Sequence, residues 1–427
     1  MKKYMLLGLL ITTTSFLWAQ RIEDIITTKE ANRIERFLAS DEMRGRRTFS
    51  PEIDKAADFI AAEFKQAGLK PVTGNADFKQ AFAMVRPKFI SATAKLDDVV
   101  IEQKNIIVVT CTPELKIDQS SGYETVFIKA GGNFRREAGA FVNANKNLLV
   151  LVDESFAADF PRLAAFKRSI FKTDKSLVFI LSNSSPQNYF IEAKHEITEQ
   201  QLANVVGILP GKSKKDEFVV FSGHYDHIGV GKPVDGDSIF NGANDDAAGT
   251  TAVILLAKYF KALGNNERTI VFAAFTAEEV GGYGSQYFSR QFDPAKVMAM
   301  FNIEMIGTES KWGKNSAYIT GYEKTDMGLI LEKNLVGTGF TFYPDPYPTQ
   351  QLFYRSDNAT LARLGVPAHT ISTSKMDSEP NYHKVSDHVE TLDMENMAMI
   401  IRSIALSAKG IIAGKETPSR VKVEDLR

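Results

Sequence analysis

The chain has 427 residues, of which 44% are hydrophobic and 24% are charged, an ordinary composition for a globular protein. This length allows one large domain or two to three smaller ones. The formal net charge is −1, so no basic surface favours nucleic acid or an anionic membrane as a partner. The one cysteine, Cys111, excludes a disulfide within the chain and is typical of a small buried hydrophobe.

The first residues have the pattern of a secretory signal peptide. Lys2 and Lys3 precede an uncharged apolar run over 4–18, and Ala19 precedes a polar residue. The run is shorter than the roughly 20 residues that a membrane-spanning helix needs. We therefore expect a signal peptide over 1–19, cleavage after Ala19, and a periplasmic or extracellular protein without an integral membrane segment.

The next part of the chain divides into helical and β-rich stretches. Apolar residues recur at helical spacing over 29–40 and 51–68. Over 86–200, short β-rich runs alternate with polar linkers and one helical stretch near 157–168. We interpret 86–200 as a small inserted β-rich domain. The main domain then comprises 20–85 and 201–427.

From Asn204 onward, strongly apolar strands alternate with helices. The predicted strands are NVVGIL, EFVVFSG, RTIVFAAF, VMAMFNI and residues 366–372. The predicted helices are 246–263, 282–291, 325–335, 357–364 and 393–412. Near-continuous apolar strands separated by helices predict an α/β domain whose mostly parallel sheet is covered by helices on both faces.

Polar residues collect where these predicted strands end. They are His224, Asp226, Asp245, Asp246, Glu278, Glu279, Glu304, Tyr382 and His383. Ligands of open α/β sheets bind at that edge, and a cluster of acids there is costly unless a cation neutralises it. Imidazole and carboxylate groups together favour zinc or a similar divalent ion.

Each feature alone has an ordinary structural explanation. The Asp245–Asp246 pair could cap a helix, Glu278–Glu279 could be a solvated turn, and His224 could be a core histidine. A buried Glu304 is harder to explain without a partner. The joint occurrence of these residues at successive strand ends favours a metal site.

The motifs resemble those of metallopeptidase family 28. The matching segments are HYDH, GANDDAAG, AEEVGGYGS, NIEMIG, YRSDN followed by LGVPA, and NYHKVSD. The segment LASDEMRGRR and the helix AADFIAAEFKQAGLKP resemble the N-terminal region of the family. The resemblance covers 29–85 and 200–412. The family contains secreted zinc aminopeptidases, glutamate carboxypeptidases and glutaminyl cyclases, and many members carry a protease-associated domain where 86–200 lies.

The resemblance implies a zinc-exopeptidase fold, two zinc ions and a role for each matching residue. Asp245 would bridge the ions, and a cis peptide bond would follow it. Glu278 would be the general base, Asp226 would orient the His224 imidazole, and Tyr382 and Arg355 would stabilise the tetrahedral intermediate. The implied metal ligands are His224, Asp245 and Glu304 for one ion and Asp245, Glu279 and His383 for the other.

The chain departs from the family pattern at a few positions. Glu304 stands where the aminopeptidases commonly have Asp, and Asn358 and Leu361 replace the usual His and Phe after the SD motif. His227 and His388 lie beside ligand positions but match no ligand. We interpret the two remaining histidines, His195 and His369, as structural.

The implied function is the removal of N-terminal residues from peptides by a secreted two-zinc hydrolase. An acidic site attracts the α-ammonium group of a peptide, which favours aminopeptidase over carboxypeptidase activity, although Arg355 could bind a carboxylate instead. A glutaminyl cyclase, another dinuclear hydrolase such as a phosphodiesterase, and a non-catalytic binding module of the same fold remain alternatives at this stage.

Overall fold

The computed structural model describes residues 21–426, so the predicted signal peptide lies outside the described residues. The described chain forms two compact units. One consists of 48–51 and 79–204, and the other contains the rest. The sequence placed the insertion at 86–200, several residues inside these limits. Within 21–426, no helix is both long and apolar enough to cross a membrane.

Four adjacent parallel strands form the centre of the sheet in the larger unit. In spatial order they are Arg268–Phe275, Lys214–His224, Val297–Ile303 and Ala368–Ser372. All four were predicted from their apolar runs. Their parallel register brings their carboxyl ends to one edge of the sheet, which is the edge where the polar residues follow in sequence.

The sheet continues beyond this parallel centre on both sides. On one side, residues 205–209 of the long strand Tyr189–Leu209 pair antiparallel with Arg268–Phe275. On the other side, Ser316–Ile319 pairs antiparallel with Ala368–Ser372 and parallel with Thr341–Pro344. The sequence did not predict these last two strands. Each has only four residues, too few to display a clear period.

Alternate residues of the central strands pack on opposite faces of the sheet. Phe221 and Phe272 pack in one apolar cluster, and Val220 and Val271 pack in another. The first face is covered by the helices Thr28–Leu38, Pro51–Gln66, Ala248–Leu263, Met327–Asn334 and Met394–Ser407. The second is covered by Tyr283–Ser289 and Asn358–Ala362. The predicted fold class, a mostly parallel sheet with helices on both faces, is confirmed.

The smaller unit is built around its own four-stranded sheet. The strands lie in the order Ile106–Val109, Leu177–Leu181, Leu148–Val152 and Glu124–Ile128. Its helix is Phe134–Asn143, which the sequence analysis missed because this amphipathic segment buries only Ala138. The helical stretch expected near 157–168 is a 3₁₀ segment, Phe160–Lys167.

Candidate metal centre

The turns that follow the central strands converge on one group of polar side chains. His224 is the last residue of its strand, and Glu304 follows Val297–Ile303 directly. Glu278 and Glu279 lie three and four residues past Arg268–Phe275. Asp245 comes from the loop before helix Ala248–Leu263. Residues nearly 160 positions apart in sequence, His224 and His383, thus face the same carboxylate.

Asp245 is buried at the centre of this group. Its Oδ1 lies 3.1 Å from Nε2 of His224, and its Oδ2 lies 3.2 Å from Nε2 of His383. The expected cis peptide bond joins Asp245 to Asp246. Each oxygen of the Asp245 carboxylate therefore faces a different histidine, which is the arrangement that a bridging ligand requires.

Glu279 lies on the His383 side of Asp245. Its Oε2 is 3.3 Å from Nε2 of His383, and its Oε1 is 2.8 Å from Nδ1 of His227. Burial alone would raise the pKa of Glu279, but the contacts with His227 and His383 outweigh it and lower that pKa to about 2. Glu279 is therefore ionised at neutral pH, as a metal ligand must be.

Glu304 lies on the His224 side. Possible ligand atoms of His224, Asp245 and Glu304 all fall within 4.8 Å of one another. Ser356 donates a hydrogen bond to Oε2 of Glu304. Burial raises the pKa of Glu304 to about 7, although the neighbouring His224 acts in the opposite direction, so the ionised carboxylate is disfavoured here. A divalent cation at this position would supply a neutralising positive charge.

The hydrogen bonds of His224 indicate what it is prepared to bind. Its Nδ1 lies 3.0 Å from the carbonyl oxygen of Asp226 and donates to it, because a carbonyl only accepts. The buried Nε2 has no hydrogen-bond partner although Asp245 is close. Two electron-rich atoms that face each other without a shared proton fit a cation between them. Zinc suits this donor set of imidazole nitrogens and carboxylate oxygens.

Glu278 directly precedes Glu279 and is half-buried. Its pKa is raised well above the ordinary value, because burial disfavours the charged form and because Glu304, Asp357 and Glu279 carry like charges nearby. Its backbone N–H donates to Oδ1 of Asp226 at 3.0 Å. A carboxylate with a raised pKa in a cleft is suited to accept a proton during a reaction.

Two buried acids hold the loop that carries Asp245. Asp387 accepts hydrogen bonds from the backbone N–H groups of Asn244 and Asp245 at 2.8 and 3.0 Å. Asp246 accepts from the backbone N–H groups of His224, Gly249 and Met305, at 3.0–3.1 Å. These bonds tie the Asp245 loop to the strand ends before and after it.

The small residues of the motif GANDDAAG are needed for this close packing. A Cβ atom on Gly249 would lie 2.1 Å from the carbonyl oxygen of Ile303 and 2.3 Å from Asp246. Gly242 has a φ of +62° and would place a Cβ 2.5 Å from the His227 ring. The acidic pair can reach the strand ends only because its neighbours are this small.

Comparison with known proteins agrees with this geometry. Residues 204–408 match the sequence model of Peptidase family M28. This region therefore resembles the peptidase domain of that family. It contains all five residues that the family resemblance singled out as metal ligands, together with Glu278, Tyr382 and Arg355.

Relatives and solved structures extend the comparison. A probable leucine aminopeptidase of Trichophyton verrucosum is 30% identical over 208 residues, which are 45% of this chain and 53% of the relative. A probable zinc metalloprotease of Pyrenophora teres f. teres is 36% identical over 108 residues, or 25% of this chain and 23% of that relative. The chain thus spans about half the length of the leucine aminopeptidase and about a quarter of the length of the metalloprotease.

Two solved aminopeptidases share the fold along almost their whole length. The enzyme from Aneurinibacillus sp. strain AM-1 has a TM-score of 0.53 at 18% identity, and covers 95% of this chain and 99% of its own. A zinc aminopeptidase from Bacillus subtilis has a TM-score of 0.54 at 16% identity, with 94% and 97% covered. At such identities the likeness establishes the fold and leaves the activity open.

The region that matches family M28 also brings Tyr382 and Arg355 to the site. The Tyr382 ring stacks on the His383 ring with centroids 3.9 Å apart, and its hydroxyl accepts a hydrogen bond from Arg355 at 3.4 Å. Burial raises the pKa of Tyr382 to about 12, so its hydroxyl keeps its proton at neutral pH. Both side chains line a pocket beside Glu304 that also contains Thr370 and Ser372.

The structure assigns the other residues that the sequence singled out. The expected contact of Asp226 with His224 runs through its carbonyl oxygen, since its carboxylate oxygen is 3.7 Å from Nδ1 of His224. His369 bonds to Thr320 and Thr325, and Asn358 bonds to the backbone and to Thr370, so both are structural. His388 faces Asp237 at 3.3 Å.

Sequence reasoning missed two contributions to this site. It gave His227 no role, although the imidazole contacts Glu279. It treated Asp246 only as suited to a helix N-terminus, although three separate backbone segments donate to it. Both side chains contact residues that are distant in the sequence, and no regular spacing of residues predicts such a contact.

Proposed function

We propose that this protein is an exported dinuclear zinc aminopeptidase. The observation that carries the proposal is the position of Asp245, whose two carboxylate oxygens each face a different histidine, His224 or His383. His224, Asp245 and Glu304 would hold one ion, and Asp245, Glu279 and His383 the other. When bound, zinc polarises carbonyl groups and lowers the pKa of water to about 7.

Residues next to the proposed ions would transfer the proton, stabilise the oxyanion and position the base. Glu278 accepts a proton from the attacking water and returns it to the departing amine of the cleaved peptide bond. The hydroxyl of Tyr382, oriented by Arg355, donates a hydrogen bond to the carbonyl oxygen as negative charge develops on it. Asp226 holds the backbone of Glu278 and so fixes the distance between the base and the site.

The charge of the site supports an aminopeptidase in particular. Carboxylates dominate the site, and Arg355 is the cation that lines the adjoining pocket. The α-ammonium group of a peptide is attracted to such a site. The relatives named leucine aminopeptidase agree with this substrate class, although the match spans only about half of their length.

The test is a substrate panel on the purified mature chain, residues 20–427, loaded with zinc. We expect hydrolysis of aminoacyl-naphthylamides with a free amino group and no hydrolysis of the same compounds after N-acetylation. The variant Glu278→Gln serves as the matched inactive control. Cyclisation of an N-terminal glutamine peptide, or cleavage only at a free carboxyl terminus, would contradict the aminopeptidase proposal, as would inactivity of the two-zinc protein on the whole panel.

Export and the accessory unit belong to the same proposal. We infer from Lys2, Lys3 and the apolar run 4–18 that the precursor is cleaved after Ala19. N-terminal sequencing of the exported protein should begin at or near Gln20, and an intact Met1 on that protein would contradict export by cleavage. We further propose that the smaller unit is an inserted domain of the protease-associated kind.

A further inference from the structure

Arg46 is a fully buried arginine that contacts the backbone behind the metal centre. Its side chain donates four hydrogen bonds of 2.5–2.8 Å, and each of the four acceptors is a backbone carbonyl oxygen. The acceptors belong to Leu38, Tyr225, Asn241 and Gly242. Since arginine is almost never fully buried without compensating contacts, these carbonyls indicate what the side chain does.

Two of the acceptors lie close to proposed metal ligands in the sequence. Tyr225 follows His224 directly, and Gly242 lies three residues before Asp245. Nε of Arg46 bonds to Tyr225 and Nη2 bonds to Gly242, each at 2.8 Å. Because the guanidinium group is planar and rigid, these bonds hold the end of the strand that carries His224 at a fixed separation from the loop that carries Asp245.

The backbone around Arg46 has the unusual shape that brings its side chain inward. Arg44, Gly45 and Arg46 have φ values of 45°, 68° and 45°. A Cβ atom on Gly45 would lie 2.3 Å from the carbonyl oxygen of Phe240, so the turn packs tightly against the chain that leads to Gly242. A positive φ is uncommon for residues other than glycine and persists only where the surrounding structure stabilises it. The four hydrogen bonds of Arg46 supply such stabilisation.

The charge of Arg46 acts on the same site as its hydrogen bonds. Burial lowers the pKa of Arg46, whereas Glu35, Asp387, Asp226 and Asp245 favour its charged form. Arginine remains protonated in proteins, so the guanidinium is a permanent positive charge near these acids. That charge alone would oppose the binding of another cation nearby. The charge and the hydrogen bonds therefore have opposite effects on zinc affinity, which allows them to be separated.

We propose that Arg46 is a positioning residue that holds the backbone next to His224 and Asp245 in the arrangement that binds zinc. It acts through the carbonyl oxygens of Tyr225 and Gly242. Residues behind metal ligands typically contribute 10–100-fold to metal affinity. The inference rests on the proposed metal centre and adds to it a residue that lies outside the region matched by the family model.

Arg268 provides a matched control at the other end of the sheet. It is also buried, and it donates to the backbone carbonyls of Ile411 and Glu416 at 2.8 and 2.7 Å. Arg268 begins the strand Arg268–Phe275, about 23 Å along that strand from the end that leads to the metal centre, at about 3.3 Å per residue. Loss of its hydrogen bonds should lower stability without moving the proposed ligands.

Three variants separate position, charge and stability. Arg46→Lys keeps the positive charge, but one ammonium nitrogen cannot occupy the positions of three guanidinium nitrogens. Arg46→Met removes both the charge and the donors. Arg268→Lys makes the first change at the control site.

The experiment is a zinc titration of the mature chain and its variants after removal of metal by a chelator, with a competing indicator dye. Urea unfolding of the metal-free forms measures the stability of each variant separately. We expect two zinc ions on the wild type. In Arg46→Lys and Arg46→Met, at least one ion should bind 10–100-fold more weakly. Arg268→Lys should be less stable than the wild type and should bind both ions with wild-type affinity.

Each result supports or overturns the positioning role. Wild-type or tighter zinc binding in either Arg46 variant overturns it, and tighter binding in Arg46→Met would show that only the charge acts on the ions. An equal loss of affinity in Arg268→Lys overturns it in favour of a general effect of stability. If one Arg46 variant does not fold, the other decides. If neither folds without metal although Arg268→Lys does, Arg46 is required for folding as a whole and the positioning role is overturned. A wild type that binds fewer than two zinc ions overturns the proposed two-zinc centre, and this inference with it.

Discussion

Asp245 and Asp246 are adjacent in the chain but bind different kinds of partner. Asp245 turns its carboxylate toward His224 and His383, whereas Asp246 accepts hydrogen bonds from three backbone N–H groups. The first acid thus faces the proposed ions, and the second holds together the backbone segments that carry the ligands. The acidic pair needs small neighbours because both acids are buried and the Asp246 carboxylate lies against backbone.

This division predicts opposite effects of the two Asp→Asn substitutions. Asp246→Asn leaves at least one buried backbone N–H facing an amide nitrogen, which should lower the free energy of unfolding of the metal-free protein by about 1–3 kcal/mol. The folded variant should still be stabilised by added zinc. Asp245→Asn should lose that stabilisation, since zinc binding to the native state is its source. Urea unfolding with and without zinc measures both effects, and equal zinc stabilisation of the two variants would contradict the assignment.

Substitutions of the neighbouring acids Glu278 and Glu279 should also affect different properties of the enzyme. Glu278→Gln removes the proton acceptor and keeps the shape, so kcat should fall 10²–10⁴-fold while both metals stay bound. Glu279→Gln should weaken one ion, and excess zinc or cobalt should restore part of the activity. Metal content and kcat on a leucyl or alanyl substrate test this pair. Metal loss in Glu278→Gln but not in Glu279→Gln would reverse the two roles.

The central fold was predictable from the sequence because its strands are buried on both faces. Runs such as RTIVFAAF are continuously apolar, and the helices between them carry clear apolar spacing. The convergence of His224, Asp245, Glu279 and Glu304 follows from that topology, because parallel strands end at one edge. The strand Ser316–Ile319 was not predicted because it has only four residues. The helix Phe134–Asn143 was not predicted because it buries only Ala138.

The hydrogen bonds behind the site were beyond the reach of sequence patterns. Asp387 supports a loop 142 residues earlier in the chain, and His227 contacts Glu279 across 52 positions. Neither contact leaves a fixed spacing in the sequence. The residue types were visible, but whether an acid faces an ion or a backbone N–H depends on side-chain directions that the folded structure determines.

Tyr382 offers a test of oxyanion stabilisation. Tyr382→Phe keeps the ring that stacks on His383 and removes only the hydroxyl, so the metals should stay bound. Loss of one donor to an oxyanion typically lowers kcat about 10²–10³-fold, and KM should change much less. Tyr354→Phe, on a tyrosine outside the proposed machinery, is the control. A Tyr382→Phe enzyme with wild-type kcat would remove Tyr382 from the mechanism.

The buried acids predict how the metal-free protein responds to pH. Burial raises the pKa of Glu35 to about 8, of Glu304 to about 7, and of Asp357 and Asp387 to about 6. Between pH 4 and these values, these groups hold more protons in the folded than in the unfolded chain. Unfolding therefore releases protons, and a rise in pH favours the unfolded chain.

The metal-free protein should therefore lose stability as the pH rises. The free energy of unfolding of the metal-free protein should fall between pH 5 and pH 8, by about 1 kcal/mol or more, since one pKa unit corresponds to about 1.4 kcal/mol. Zinc should flatten the dependence, because the ions neutralise Glu304 and its neighbours whereas Glu35 is unaffected. Glu35→Gln should remove part of the remaining slope. Urea unfolding at several pH values measures these slopes. A metal-free protein that gains stability from pH 5 to pH 8 would show that burial does not raise the pKa values of these acids.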